Sequence, residues 1–136
     1  MEKTLNCPPP DAFGDFNVPV VHRIRKLYAY LYLIGNKLPK RDKLGIHNYI
    51  EKEFLKTFSF LINASLEPKS EKIILLKKAR LQIETIKQLI RTEYELKIIS
   101  EKIYLTVESK LQEISKMTNG WLKYSQTQNP PLGGVK

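Results

Sequence analysis

Four segments of this chain repeat apolar residues at the spacing of an α-helix, and no other feature narrows its fold as far. Val20, Ile24, Leu27, Leu31, Ile34 and Leu38 follow one another at intervals of 4, 3, 4, 3 and 4 residues, which places all six on one stripe. Pro39 ends this first helix, because the residue before a proline is pushed out of the helical region, and Lys40-Arg41-Asp42 forms the connection. The second helix is expected over Lys43 to Leu66. After the break Glu67-Pro68-Lys69-Ser70, Ser70 is the expected N-cap of a third helix with Leu76, Ala79, Ile83, Ile86 and Ile90 on its stripe, ending near Lys97. Ser100 caps the fourth, whose stripe is Tyr104, Val107, Leu111, Ile114, Thr118 and Trp121. The fold class that follows is all-α, an antiparallel four-helix bundle of helices roughly 20 to 28 residues long. The 3–4 spacing is that of left-handed bundle packing.

The 136 residues suffice for one domain. Residues 1–17 hold Pro8, Pro9, Pro10 and Gly14 and read as a flexible N-terminal arm, with Phe13 and Phe16 able to dock. Residues 18–126 are the bundle, and 127–136, with Pro130, Pro131, Gly133 and Gly134, a disordered tail. No apolar run reaches the roughly 18–20 residues that span a bilayer, and Met1–Pro10 lacks the pattern of a signal peptide, so the expected location is the cytoplasm, with no membrane partner. A lone cysteine, Cys7, allows neither an internal disulfide nor a thiolate zinc site.

The second helix is apolar around most of its circumference. Leu44, Ile46, Tyr49, Phe54, Leu55, Phe58, Phe60 and Leu61 surround a narrow polar face of Lys52, Lys56, Ser59 and Asn63. A helix apolar on more than one face is buried on more than one face, so an oligomer is expected. Tyr28, Tyr30 and Tyr32 alternate along the first helix and cannot all enter one core; they either cap the bundle edge or, with Tyr49, Phe60 and Trp121, meet a neighbouring subunit. For Trp121 the plainer role is a large packing residue. Gly120 before it would let a ring or backbone approach closely.

Charge bears on partners. The formal net charge is +9, with 23 basic residues against 14 acidic, which points to an anionic partner, nucleic acid first. On the third helix Lys69, Lys77, Arg80, Lys87 and Arg91 fall within about 80° of one another, a ridge beside the core that Glu84 and Glu95 dilute. Lys37, Lys40, Arg41 and Lys43 form a second cluster after the first helix, where flexible cations can reach phosphates. Catalysis has little to stand on. No glycine-rich phosphate loop, Walker lysine or nucleophile elbow is present, and no catalytic residue, cofactor or metal is assigned. His22 reads as a helix-start residue and His47 as a surface or interface residue.

Three segments carry a family likeness: Tyr28-Ala29-Tyr30-Leu31-Tyr32-Leu33-Ile34, then Leu38-Pro39-Lys40-Arg41, then Glu113-Ile114-Ser115-Lys116-Met117-Thr118-Asn119-Gly120-Trp121-Leu122-Lys123. With Ile86-Lys87-Gln88-Leu89-Ile90-Arg91-Thr92-Glu93-Tyr94-Glu95-Leu96, they make the chain resemble the accessory variability determinant (Avd) of diversity-generating retroelements over roughly Val21 to Lys123. The glycine-tryptophan ending is the most specific element. The resemblance implies a homopentameric barrel without catalytic activity that binds the retroelement's reverse transcriptase and its template-repeat RNA, with DNA a further candidate, in support of mutagenic retrohoming. It also implies that Lys87 and Arg91, which match basic positions of the family's third helix, are the first candidates for contact with RNA or polymerase. The alternative is a stand-alone helical RNA-binding protein of the related family encoded in intervening sequences of 23S ribosomal RNA genes.

Overall fold

The computed structural model describes residues 18–127, and all its regular structure is helical. Four long helices, α1 (Pro19–Gly35), α3 (Ile46–Leu66), α4 (Lys69–Glu95) and α5 (Glu101–Thr127), are supplemented by a single turn, α2 (Lys40–Leu44). Consecutive long helices pack against each other and α1 closes onto α5, which with such short connections gives an antiparallel four-helix bundle. The core is the union of the four stripes. Leu31, Ile50, Phe54, Leu61, Leu76, Ile83, Ile90 and Leu111 are fully enclosed, each such side chain stabilising the fold by roughly 1.5–3 kcal/mol relative to exposure.

Several boundaries differ from expectation, each for a local reason. The first helix stops at Gly35 rather than Leu38: Lys37 and Leu38 donate to the carbonyls of Ile34 and Gly35 in a tightened turn, and Leu38 is left half-buried against the core. The connection then winds into α2, with Lys43 N–H bonded to the Pro39 carbonyl. Gly45 separates α2 from α3, so the second helix begins at Ile46 and not at Lys43. A Cβ at Gly45 would lie 2.7 Å from the Arg41 carbonyl oxygen, a contact only glycine avoids.

Ser70 does not cap the third helix. Pro68, with extended backbone (ψ 166°), is the N-cap, and Lys72 N–H bonds its carbonyl, which leaves Ser70 inside the first turn. Ser100 does cap the last helix, accepting from Ile103 N–H at 3.2 Å. The described part of that helix reaches Thr127, one residue beyond the expected bundle limit, while the proposed arm, 1–17, and the rest of the tail, 128–136, lie outside the described residues.

Helix α4 ends at Glu95 in a Schellman-type turn. Lys97 N–H bonds Tyr94 O, Ile98 N–H bonds Glu93 O, and Lys97 sits at φ 63°. A lysine in that left-handed conformation costs about 1 kcal/mol that glycine does not. Lys97→Gly is therefore expected to raise stability by about 1 kcal/mol, read as a higher urea midpoint at unchanged m-value.

Candidate nucleic-acid interface

Helix α4 buries Leu76, Ala79, Ile83, Ile86 and Ile90 on one face, and that registration fixes which of its cations reach solvent. The stripe is bordered on the α5 side by the basic ridge, where Tyr94 stacks on Tyr104 of α5 with ring centres 4.5 Å apart. Lys77 and Arg80 are exposed, and among the described residues no carboxylate pairs with either. Lys87 and Arg91, the first candidates by family likeness, are held locally. Lys87 Nζ lies 3.2 Å from Glu84 Oε2, one turn back, and Arg91 Nε donates to Glu95 Oε2 at 3.0 Å, one turn on. Lys69 is half-buried at the start of the helix. The ridge thus has a free middle and a partly neutralised C-terminal half. Lys37, Lys40, Arg41 and Lys43 are all exposed, in and around α2, so the two clusters occupy different elements of the surface.

The tyrosines of α1 divide between two flanks. Tyr28 and Tyr32 lie together, ring centres 6.3 Å apart, Tyr28 half-buried and Tyr32 53% exposed. Burial first, then the Glu51 carboxylate and Tyr32, push the Tyr28 phenol above its usual range. Tyr30 faces α5 instead, lining both cavities of the α1–α5 seam, about 430 and 360 Å³. Arg23 and Glu113 form an ion pair across that seam. On α3 the apolar excess divides as the sequence suggests: Ile50, Phe54 and Leu61 are buried, Ile46, Phe58 and Phe60 half-buried, Tyr49 and Leu55 exposed. Trp121 is half-buried at the edge of the core. Gly120 is exposed, and a Cβ there would meet no atom within 4 Å, so no close approach within this chain accounts for it.

His47 is not a surface or interface residue: it is 0% exposed and lies at the centre of a buried polar network. Its Nδ1 lies 2.8 Å from Glu93 Oε2 of α4 and its Nε2 2.8 Å from the Leu31 carbonyl oxygen of α1, with Glu51 Oε2 3.6 Å away. Burial opposes the charged ring, but the hydrogen bonds to Glu93 and Leu31 and the charges of Glu93 and Glu51 outweigh it, and the pKa is raised above 6.5. The Leu31 carbonyl can only accept, so Nε2 donates to it while Nδ1 meets Glu93, and the His47 ring joins three helices. Gly35 makes the fit possible, since a Cβ there would lie 2.8 Å from His47 Cδ2. Farther along the same seam Gln82 donates to Glu53 at 2.6 Å, again joining α4 to α3. The network is structural, as both partners of the His47–Glu93 pair are closed to solvent and both ring nitrogens are occupied. Among the described residues no group of three or more His, Cys, Asp or Glu side chains is placed to hold a metal.

The fold and its surface define a small basic four-helix bundle with exposed cations on α4 and around α2. A family model described as bAvd-like matches residues 19–125, essentially the whole described bundle, and the chain belongs to that family. The resemblance read from the Leu-Pro and Gly-Trp segments is thereby supported, and the family is of an accessory, non-catalytic kind. No curated protein and no solved structure matches the chain. No helix among the described residues is long and apolar enough to cross a membrane.

Proposed function

We propose that this protein is the accessory subunit of a diversity-generating retroelement, a non-catalytic homopentameric scaffold that binds the reverse transcriptase and the template-repeat RNA during mutagenic retrohoming. The observation that carries the reading is the bAvd-like match across the bundle. Support comes from the net charge of +9 and from the cations of α4 and α2, which suit contact with phosphates of any sequence. The apolar side chains left outside the core on α1 and α3, Tyr32, Leu33, Tyr49 and Leu55 among them, suit burial between subunits.

Co-expression with a diversity-generating retroelement reverse transcriptase tests the reading. The two are expected to co-purify, and the chain alone, stripped of nucleic acid at high salt, is expected to show a mass near five times 15.9 kDa by light scattering. Affinity for RNA is expected to fall linearly with salt on a log–log plot. A monomer that binds neither polymerase nor RNA at about 50 mM salt, where phosphate contacts are strongest, overturns it.

A further inference from the structure

At the end of the bundle where α4 begins and α5 finishes, Lys69, Lys72, Trp121, Tyr124 and Ser125 line a recess of about 260 Å³. It is smaller than the roughly 300–1,000 Å³ clefts that take drug-sized ligands, and suits a group the size of a single base. We propose that this recess is a nucleotide-binding site for single-stranded nucleic acid, in which one base stacks on the Trp121 and Tyr124 rings and its flanking phosphate is taken by Lys69 and Lys72. The assignment rests on the nucleic-acid reading above and adds to it a site of a different kind, at the end of the phosphate ridge where Lys69 belongs to both.

Three observations carry it. First, the recess combines the two group types that single strands require, flat π-faces and mobile cations. Tyr124 is 62% exposed, and Lys72 Nζ lies 5.8 Å from the centre of the Trp121 ring, so charge and ring already share one space. Second, neither Lys69 nor Lys72 is paired with a carboxylate among the described residues. Closing the recess with an apolar face of a second subunit would strip water from two ammonium groups without replacing it, whereas a nucleotide supplies a phosphate for the ammonium groups and a base for the exposed Tyr124 ring and for the Trp121 face that Lys72 now covers. Third, Gly120 sits well inside α5, where glycine is unfavourable relative to alanine, and the space above it is open. On the helix it lies one turn before Tyr124, so the surface next to the exposed ring is bare backbone that a planar group can approach. Duplex nucleic acid, with its bases stacked inside, offers no free face to these rings.

The test uses a property of the chain: Trp121 is its single tryptophan, so tryptophan emission reports this recess alone. The full-length protein is titrated at about 50 mM salt with single-stranded oligo(U) of about twelve nucleotides and with a duplex of equal length, following tryptophan emission and, in parallel, the anisotropy of end-labelled nucleic acid. Oligo(U) is expected to quench Trp121 saturably, with the same midpoint as the anisotropy, and the duplex is expected to leave emission unchanged. Lys69→Gln with Lys72→Gln, and separately Tyr124→Ala, are expected to weaken oligo(U) binding about tenfold, with helical content and native mass unaltered. Anisotropy that reports oligo(U) binding while emission stays constant overturns the site and leaves the nucleic-acid reading intact. Equal quenching by the duplex also overturns it. No anisotropy change with either probe overturns the nucleic-acid reading, and the site with it.

Discussion

Replacing His47 with alanine is expected to lower the free energy of unfolding by about 3–5 kcal/mol, because it leaves the buried Glu93 side chain without its partner. Glu93 Oε1 already lacks a hydrogen-bond partner among the described residues, so the carboxylate depends on its one bond to the ring. The same pair makes stability depend on pH. The folded-state pKa of His47 lies above 6.5, so the stability it contributes is fully present below pH 6.5 and is lost as pH rises through the folded-state value. Urea denaturation of the wild type on the alkaline side of pH 6.5 is thus expected to show a falling midpoint, in a range where ordinary carboxylates no longer titrate. Glu93→Gln provides the near-isosteric arm. A glutamine amide can donate to Nδ1 of a neutral ring while Nε2 still donates to Leu31, so this variant is expected to lose the alkaline fall in stability while remaining folded. Gly35→Ala, which presses a methyl group onto Cδ2, is expected to destabilise as well. A wild-type midpoint that does not move on the alkaline side would mean that the ring is neutral in the folded protein.

Charge reversal of Lys77 and Arg80 together is the second large effect, and its size follows from counterion release. Each phosphate contact with a single strand contributes a slope of about 0.7 in log affinity against log salt, so two contacts amount to roughly 25-fold at about 0.1 M salt. Lys77→Glu with Arg80→Glu is expected to weaken RNA binding by at least that factor and to lower the salt slope by about 1.4. Lys87 and Arg91 respond differently, because their charge is already shared with Glu84 and Glu95. Neutralising them to glutamine is expected to cost less than neutralising Lys77 and Arg80, and Glu84→Gln with Glu95→Gln is expected to tighten binding by releasing both cations. Binding measured for the four variants at two salt concentrations decides the matter. A larger loss from the Lys87/Arg91 pair would place the contact on the C-terminal half of α4.

The sequence and the structure agree where a single helix suffices to define a residue's surroundings. The stripes of α1 and α4 predict the buried residues almost position by position, since 3.6-residue periodicity records which side faces inward, while the ends of the α5 stripe, Tyr104 and Trp121, are only half-buried and Leu122 and Ser125 are buried in their stead. Glu84 and Glu95 stand one turn from Lys87 and Arg91, and that dilution of the ridge is readable from spacing alone. Boundaries are less readable. Five residues of α2 carry no period, and the space that requires glycine at position 45 exists only once Arg41 has been folded beneath it.

The His47–Glu93 pair is the most instructive omission. Its members are 46 residues apart on different helices, so no local spacing joins them. A signal nevertheless exists: Glu93 continues the stripe of Ile83, Ile86 and Ile90 by one further step of three, and Glu51 follows His47 by one turn. An ionisable residue on a core stripe requires a hydrogen-bonding partner on a facing stripe, and His47 is the one that answers it. The recess at Trp121 is likewise invisible to periodicity, as it brings the first turn of α4 beside the last turns of α5.

The two cationic clusters also differ in how much order they bring to an encounter. The ridge stands on a helix of 27 residues anchored along its length by buried side chains, so its backbone has no freedom left to lose. The turn α2 carries no buried residue at all. Lys40, Arg41 and Lys43 therefore ride on a single turn that no buried side chain anchors, so it has more conformational entropy to surrender on meeting a polyanion than the ridge. In the proposed role the molecule would offer a rigid rail and an adaptable hand, the rail setting the direction of a bound strand and the hand following its shape.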